Sequence, residues 1–374
     1  MRLVAFILGV VGTLALVVAI VQSMLITRNS RNWISRAVSA AITGLAVAPL
    51  RLFRTYVARD RWLSGLAPAT LLILLTVYGI GFIFTLGLAV WGSTDLGVWE
   101  SLYQSGSTFT TLGIVEPTNA TSAVVSFVGA FLGLVVVAIF IGYLLALYGM
   151  YSSRESVMAR LSTYAGEPAW GPEFLSRAAV IGRPASDAPR IELVLNWVSE
   201  LRLNQEMNPI LASFRSTSSN RHWVITTLAT MDAVALRLAL ELSDDVPADI
   251  QFLTQGTLTL AELNRRPVAA WTVGRRMLEA VRGNVTRDVP TLSDEEWREG
   301  WDEMVNAGIR SRVSQSKVRN RVEAMRGLYA PDAYRLAQKH HAIRAPWSGE
   351  RRLPAPVEWP MRAGNEDLGT PRSR

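Results

Sequence analysis

The 374-residue chain contains no cysteine and only three histidines. Without cysteine there are no disulfides, no thiolate metal sites and no cysteine nucleophile. Three histidines, two of them adjacent at His340 and His341, leave little for a metal centre or a Ser-His-Asp enzyme. No Gly-x-Gly-x-x-Gly follows a strand pattern, which argues against a Rossmann-type nucleotide-binding regulator. No run of alternating strands suggests a cyclic-nucleotide barrel, and no paired catalytic carboxylates or nucleophile elbow stand out. Neither an enzyme nor a cofactor is expected.

Charge is scarce over the first 150 residues, which carry 8 Arg and 4 acids, whereas residues 151–374 carry 30 basic and 27 acidic residues. The net charge of +7 and pI near 10.0 would suit a nucleic-acid binder. The mean hydropathy of +0.21 argues otherwise, because it averages a membrane half with an ordinary soluble half. Seven Arg and one Asp fall within residues 27–63, so most of the excess charge sits in one connection. No nucleic-acid partner is expected; the belt can also meet anionic lipid headgroups.

Three runs are long enough for a hydrocarbon core of about 30 Å, which takes roughly 20 helical residues. They are Leu3–Ile26, Leu66–Trp91 and Ala123–Met150. The first exceeds a signal-peptide core and lacks a cleavage site after it, so it reads as a retained helix. Arg28, Arg31, Arg36, Arg51, Arg54, Arg59 and Arg61 follow the first span, whereas the connection after the second carries Asp95, Glu100 and Glu116 and no base. The positive-inside rule then predicts a multi-pass cell-membrane protein, its N-terminus outside and everything after about Tyr151 in the cytoplasm. Trp33–Leu50 is short and rich in small residues. It reads as an interfacial helix anchored by Trp33 and Trp62, with a re-entrant hairpin as the alternative.

The external connection, residues 95–117, carries the chemistry. Thr94 or Asp95 can cap a short helix over Val98–Phe109, with Trp99 and Tyr103 one turn apart. That helix cannot cross a bilayer and is too aromatic for an ordinary solvent loop. Thr110-Thr111-Leu112-Gly113-Ile114-Val115-Glu116-Pro117 follows, and then the third span. Asn119-Ala120-Thr121 is a formal glycosylation sequon, but the start of the third span is its expected role.

Span, short helix, Thr-Thr-Leu-Gly and span resemble the pore module of the potassium channel superfamily over about residues 66–150. The family pattern is Thr-x-Thr-Thr-Val-Gly-Tyr-Gly-Asp. Thr108–Gly113 matches it through the first Gly, after which Ile114, Val115 and Glu116 depart. The chain is also similar to bacterial two-transmembrane potassium channel proteins with a long helical C-terminal region, in which a segment like Pro209–Trp223 recurs.

The resemblance implies a filter of Thr110, Thr111, Leu112, Gly113 and Ile114 that binds permeant monovalent cations, potassium first, through backbone carbonyls. Glu116 would stand at the pore mouth. Val115 cannot easily take the left-handed conformation of the second Gly, at about 1–2 kcal/mol, so altered outer sites and weaker discrimination are expected. One pore loop per chain requires a homotetramer. Gly129 and Gly133 share a face of the third span and Gly142 follows, read first as close packing and second as a bend. A non-conducting membrane scaffold or sensor is the rival reading.

Residues 151–342 read as helical, so the fold class is all-α. Pro189 opens Arg190–Met207, with Ile191, Val194, Leu195, Val198 and Leu201 on one face. Asn208–Phe214, Asn220–Leu242 and Pro267–Arg282 follow, the last with Val268, Trp271, Met277 and Leu278. A capping box at Ser293–Glu296 opens Glu295–Ala307, with Trp297, Trp301 and Met304 in a stripe. Val313–Leu328 and Ala333–His341 complete the set. Arg215, Ser216, Arg221, His222 and Trp223 cluster in a turn that could bind an anion, though a capped turn with solvated charges is the first expectation. Residues 343–374, with five prolines after Arg344, read as a disordered tail.

Overall fold

A computed structural model describes residues 1–25, 33–53, 55–181, 187–241, 266–281 and 291–348. The chain is all-helical, with no strand among the described residues. The helices are α1 (Arg2–Ile20), α2 (Trp33–Val47), α3 (Tyr56–Ser64), α4 (Leu66–Ser93), α5 (Val98–Phe109) and α6 (Ala120–Ala165). They continue with α7 (Gly171–Ile181), α8 (Asp187–Met207), α9 (Trp223–Glu241), α10 (Arg266–Val281), α11 (Asp294–Asn306), α12 (Gln315–Arg326) and α13 (Ala330–Lys339). Backbone contacts divide the chain into two compact units. One holds Met1–Tyr151 with Glu206–Phe214; the other holds Ser152–Gln205 and the described residues from Arg215 onward.

Four helical stretches are long and apolar enough to cross a membrane: Arg2–Met24, Tyr56–Ser93, Ala120–Ala165 and Trp223–Leu240. Their surroundings differ. The most apolar windows of the first three are 22–33% buried, but that of Trp223–Leu240 is 94% buried. The fourth is the core helix of its own unit, packed by α7, α10, α12 and α13.

In the first unit α1 and α4 run antiparallel at close range. A Cβ on Gly9 would collide with the Ala89 backbone, and one on Gly92 with the backbone of Phe6 and Arg2. Such small-residue contacts replace the hydrophobic drive that lipid does not supply. Thr13 donates to Thr85 Oγ1 at 3.0 Å across the seam. At the end of the pair, Arg2 donates to Thr94 O at 2.7 Å and forms an ion pair with Asp95. Leu74, Tyr78, Phe82, Leu86 and Val136 form a buried cluster that joins α4 to α6.

The stretch Trp33–Leu50 contains α2 and the start of a 3-10 turn, Ala48–Leu52. Trp62 Nε1 donates to Ala46 O at 2.9 Å. Arg28, Arg31 and Arg54 lie outside the described residues, as do Leu242, Arg282 and the chain after Ser348.

Several helix ends shift by two or three residues from expectation, and three differences are larger. The third apolar helix has no break near residue 150, and α6 continues to Ala165. The Pro209–Ser213 3-10 turn, expected with the C-terminal half, belongs to the first unit because Leu211 is buried in a cluster with Leu71, Phe140 and Leu147. The start of the expected tail is ordered: Ile343, Ala345 and Trp347 are buried.

The second unit is knit by aromatics. Trp347 stacks on Trp297 at 5.9 Å, meets Trp170 edge-on at 6.3 Å and lies under the Arg326 guanidinium. Arg326 forms an ion pair with Asp232 of α9 and donates to Tyr334 Oη at 2.7 Å and Trp347 O at 2.8 Å. Tyr329 donates to Asp232 at 2.6 Å. The expected core stripes are mostly inside: Ile191, Val194, Val198, Leu201, Trp297 and Met304 are buried, while Leu195 and Trp301 are partly exposed. The capping box forms, with Glu296 N donating to Ser293 Oγ at 3.1 Å and Ser293 N donating to Glu296 at 3.0 Å.

Candidate functional site

Helix α5 is inside out. Ser101, Gln104, Ser105 and Ser107 are 0–5% exposed, while Trp99 and Tyr103 are 78% and 54% exposed. A helix in water buries its apolar stripe; this one turns polar side chains inward and Trp99 and Tyr103 outward, while Phe109 at its end stacks on Phe82 at 5.3 Å. The inward groups are bonded locally: Ser101 donates to Gly97 O at 2.9 Å, Ser105 to Ile83 O at 2.7 Å, and Gln104 Nε2 to Ser126 Oγ of α6 at 3.2 Å. At 12 residues, α5 is about 18 Å long, too short for a bilayer.

The cap of α5 differs from expectation. Gly97 is the N-cap, and its N–H donates to Glu100 at 3.0 Å. Thr94 is occupied at the end of α4, donating to Val90 O at 2.8 Å, and Asp95 is paired with Arg2. Asn119 is also committed. Its Oδ1 accepts from Ser122 N at 2.8 Å and its Nδ2 donates to Ser93 O at 2.7 Å, so it caps α6.

Past Phe109 the chain turns back along α5. Thr111 N donates to Thr108 O at 2.9 Å, and Leu112 N and Gly113 N both donate to Ser107 O, at 2.8 and 3.2 Å. Ile114 N donates to Ser107 Oγ at 2.9 Å. Four consecutive N–H groups thus point at the last turn of α5. A trans peptide is planar, with its C=O opposed to its N–H. The carbonyls of Thr110, Thr111, Leu112 and Gly113 therefore face away from α5, and no described residue donates to them.

The turn requires left-handed backbone at two alternate positions, Thr111 at φ 59° and Gly113 at φ 68°. Gly113 takes it without steric cost. Thr111, with a branched Cβ, is strained by about 1–2 kcal/mol, offset by the surrounding hydrogen bonds. The alternation does not continue: Val115 is not among the residues with positive φ. The expected residues Thr110 to Ile114 are thus brought into one short run, all exposed, with Glu116 exposed beyond them.

The turn is held against α6 at close range. A Cβ on Gly133 would collide with Phe109 O, and one on Gly129 would crowd Leu86 and Thr108. Close approach therefore accounts for both glycines, whereas a Cβ on Gly142 would meet nothing within 4 Å. An apolar groove of about 490 Å³ runs between α4 and α5, lined among others by Ile80, Phe84, Trp99, Tyr103 and Leu112. On α6, Phe127, Phe131 and Leu134 are exposed.

No family model, curated protein or solved structure matches the chain. A functional reading therefore rests on this geometry and on the sequence pattern.

The second expected cluster has its charges committed. Arg215 donates to the carbonyls of His340 and His341, closing the end of α13. Arg221 pairs with Glu167 at 3.0 Å, and Ser216 donates to Glu155 at 3.1 Å. His222 caps α9, its Nδ1 accepting from Val224 N at 3.3 Å, and its ring stacks on Trp223. Burial, with Arg215 and His340 nearby, pushes the His222 imidazole well below its ordinary range. Burial, with Lys339 and Arg215 nearby, pushes His340 down to about 3. Both rings are neutral at pH 7, and the turn is a joint between helices in place of an anion cradle.

The residue that sequence reasoning missed is Ser107. In a single sequence it reads as one serine among several on α5. The available signal was its place three residues before Thr110, where a hydroxyl can reach the returning chain.

Proposed function

We propose that the chain is one subunit of a tetrameric channel for monovalent cations, potassium-like, with the cations bound by the carbonyls of Thr110 to Gly113. The observation that carries this reading is the run of four carbonyls left without donors because the four following N–H groups fold back on α5. A dehydrated cation needs oxygens in place of its water, and such a run supplies them from rigid backbone. The inverted polarity of α5 supports a location within the membrane, where outward aromatics meet lipid or protein. Its C-terminal end faces the turn, so the negative end of its dipole favours a cation there.

A single turn lines a quarter of a fourfold pathway. The groove beside α5 and the exposed aromatic face of α6 are surfaces on which further copies can close. The Arg-rich connection of residues 27–63 supports threading with the N-terminus outside and the second unit in the cytoplasm. Because Val115 does not extend the left-handed alternation, fewer sites are held in file than in the full family pattern, and discrimination is correspondingly weaker.

The test is cation flux into proteoliposomes containing the purified full-length chain, with reversal potentials in potassium/sodium gradients and a measured oligomeric state. Flux lost on Gly113→Val, from a tetramer, supports the reading. A monomeric or dimeric wild type, or flux unaffected by that substitution, overturns it. Strict sodium preference overturns the potassium assignment alone.

A further inference from the structure

We propose that Ser107 is the positioning residue that sets ion discrimination in the 110–114 turn, a role that rests on the channel reading above. Ser107 is 5% exposed and receives three of the four returning N–H groups. Its two acceptors do different work. The main-chain oxygen holds Leu112 N and Gly113 N, and any residue at 107 supplies that oxygen. The side-chain Oγ alone holds Ile114 N, at 2.9 Å.

Peptide planarity turns this division into a statement about carbonyls. Fixing the N–H of Leu112 and Gly113 fixes the C=O of Thr111 and Leu112, and fixing the N–H of Ile114 fixes the C=O of Gly113. The first two are secured by backbone and the third by one hydroxyl. The Gly113–Ile114 peptide is also the last whose N–H is bonded back to α5. Gly113 is already left-handed at φ 68° and opposes no Cβ to rotation, and Val115 carries no positive φ to continue the pattern. Remove the hydroxyl and the Gly113 carbonyl is free to leave the row, while those of Thr110 to Leu112 stay.

Discrimination between cations of one charge depends on the number and placement of oxygens, whereas passage through the turn depends on its being open. Loss of the Gly113 oxygen therefore lowers selectivity and leaves a conducting path. A merely structural serine would behave differently, lowering the number of assembled channels without changing what passes through each.

The experiment compares full-length wild type, Ser107→Ala and Ser107→Thr, measuring reversal potential under potassium/sodium gradients. Hydrogen–deuterium exchange is followed over residues 110–117 in the same preparations. Ser107→Ala is expected to lower the potassium-over-sodium permeability ratio roughly five- to tenfold, on the scale of one hydrogen bond. Current persists, and the 110–117 peptide exchanges faster. Ser107→Thr, which keeps the hydroxyl, stays near wild type in both. A wild-type reversal potential in Ser107→Ala overturns the proposal, as does unchanged exchange. A wild type without flux overturns the channel reading and the discrimination role with it; the exchange arm then still reports whether the hydroxyl holds the turn, so the two failures are told apart.

Discussion

Helices α4 and α9 are both apolar enough to cross a bilayer, yet α4 leaves Leu72, Ile80 and Phe84 exposed, whereas the apolar window of α9 is 94% buried. Their polar residues differ in the same sense. In α4, Thr85 and Gly92 meet α1 at small-residue contacts where backbones nearly touch. In α9, Asp232 is buried with Arg326 and Tyr329, and the Arg326 guanidinium lies over Trp347. The first unit obtains its packing from close backbone approach, and the second from large side chains around buried ion pairs such as Asp232–Arg326 and Glu173–Arg177. Hydropathy admits both helices as membrane-length, α9 by the smaller margin; the partners around them separate their roles.

The comparison breaks most visibly at Asp232. Asp232→Ala leaves the Arg326 guanidinium buried without its carboxylate and is expected to cost about 3–5 kcal/mol. Urea unfolding of the full-length chain, followed by tryptophan fluorescence, should show the second unit melting early while membrane insertion is unchanged. In the first unit the sharpest probe is Gly133→Ala, whose new Cβ meets Phe109 O. Overpacking of that kind costs about 1–3 kcal/mol, and under the proposed channel function flux should fall with tetramer yield on size-exclusion chromatography.

Acid should separate the units again. A buried imidazole held near 3 in the folded state, as at His340, binds no proton between that value and about 6.5, whereas the unfolded chain does. Stability of the second unit therefore falls as pH drops below 6.5, by up to about 1.4 kcal/mol per pH unit from this group. Thermal melts between pH 7 and 5 should show the slope, and His340→Gln should reduce it, the remainder coming from His222. The smallest effect is expected at the α1–α4 seam. Thr13→Val removes the bond to Thr85 and should cost about 0.6 kcal/mol, measurable by detergent-dependent unfolding.

Much of the first unit was legible in the sequence. Thr110 to Gly113 was singled out by resemblance to a known motif, whereas the bounds of α5 and the apolar runs of α1, α4 and α6 follow from length and pattern acting over neighbouring residues. The capping box at Ser293 was readable for the same reason. The buried polar stripe of α5 was not legible, because serines and a glutamine at helical spacing describe a solvent face unless the surroundings are known. Leu211 was assigned to the wrong unit because its partners Leu71, Phe140 and Leu147 are more than 60 residues away. Trp347 sits in a proline-rich stretch without periodicity, and only its stacking on Trp297 and Trp170 shows it to be core.

By itself the sequence determined the all-helical class, the run of apolar segments, the basic connection after the first, and the Thr-Thr-Leu-Gly turn. Each depends on local propensity, hydropathy or charge, which act within a few turns of chain. The tertiary structure decided that Leu211 packs with the first unit, which glycines are packing contacts, and that Ser107 ties back the turn whose carbonyls are left open. Those outcomes depend on distant groups coming within hydrogen-bonding or van der Waals distance, and no local pattern encodes which distant groups will meet.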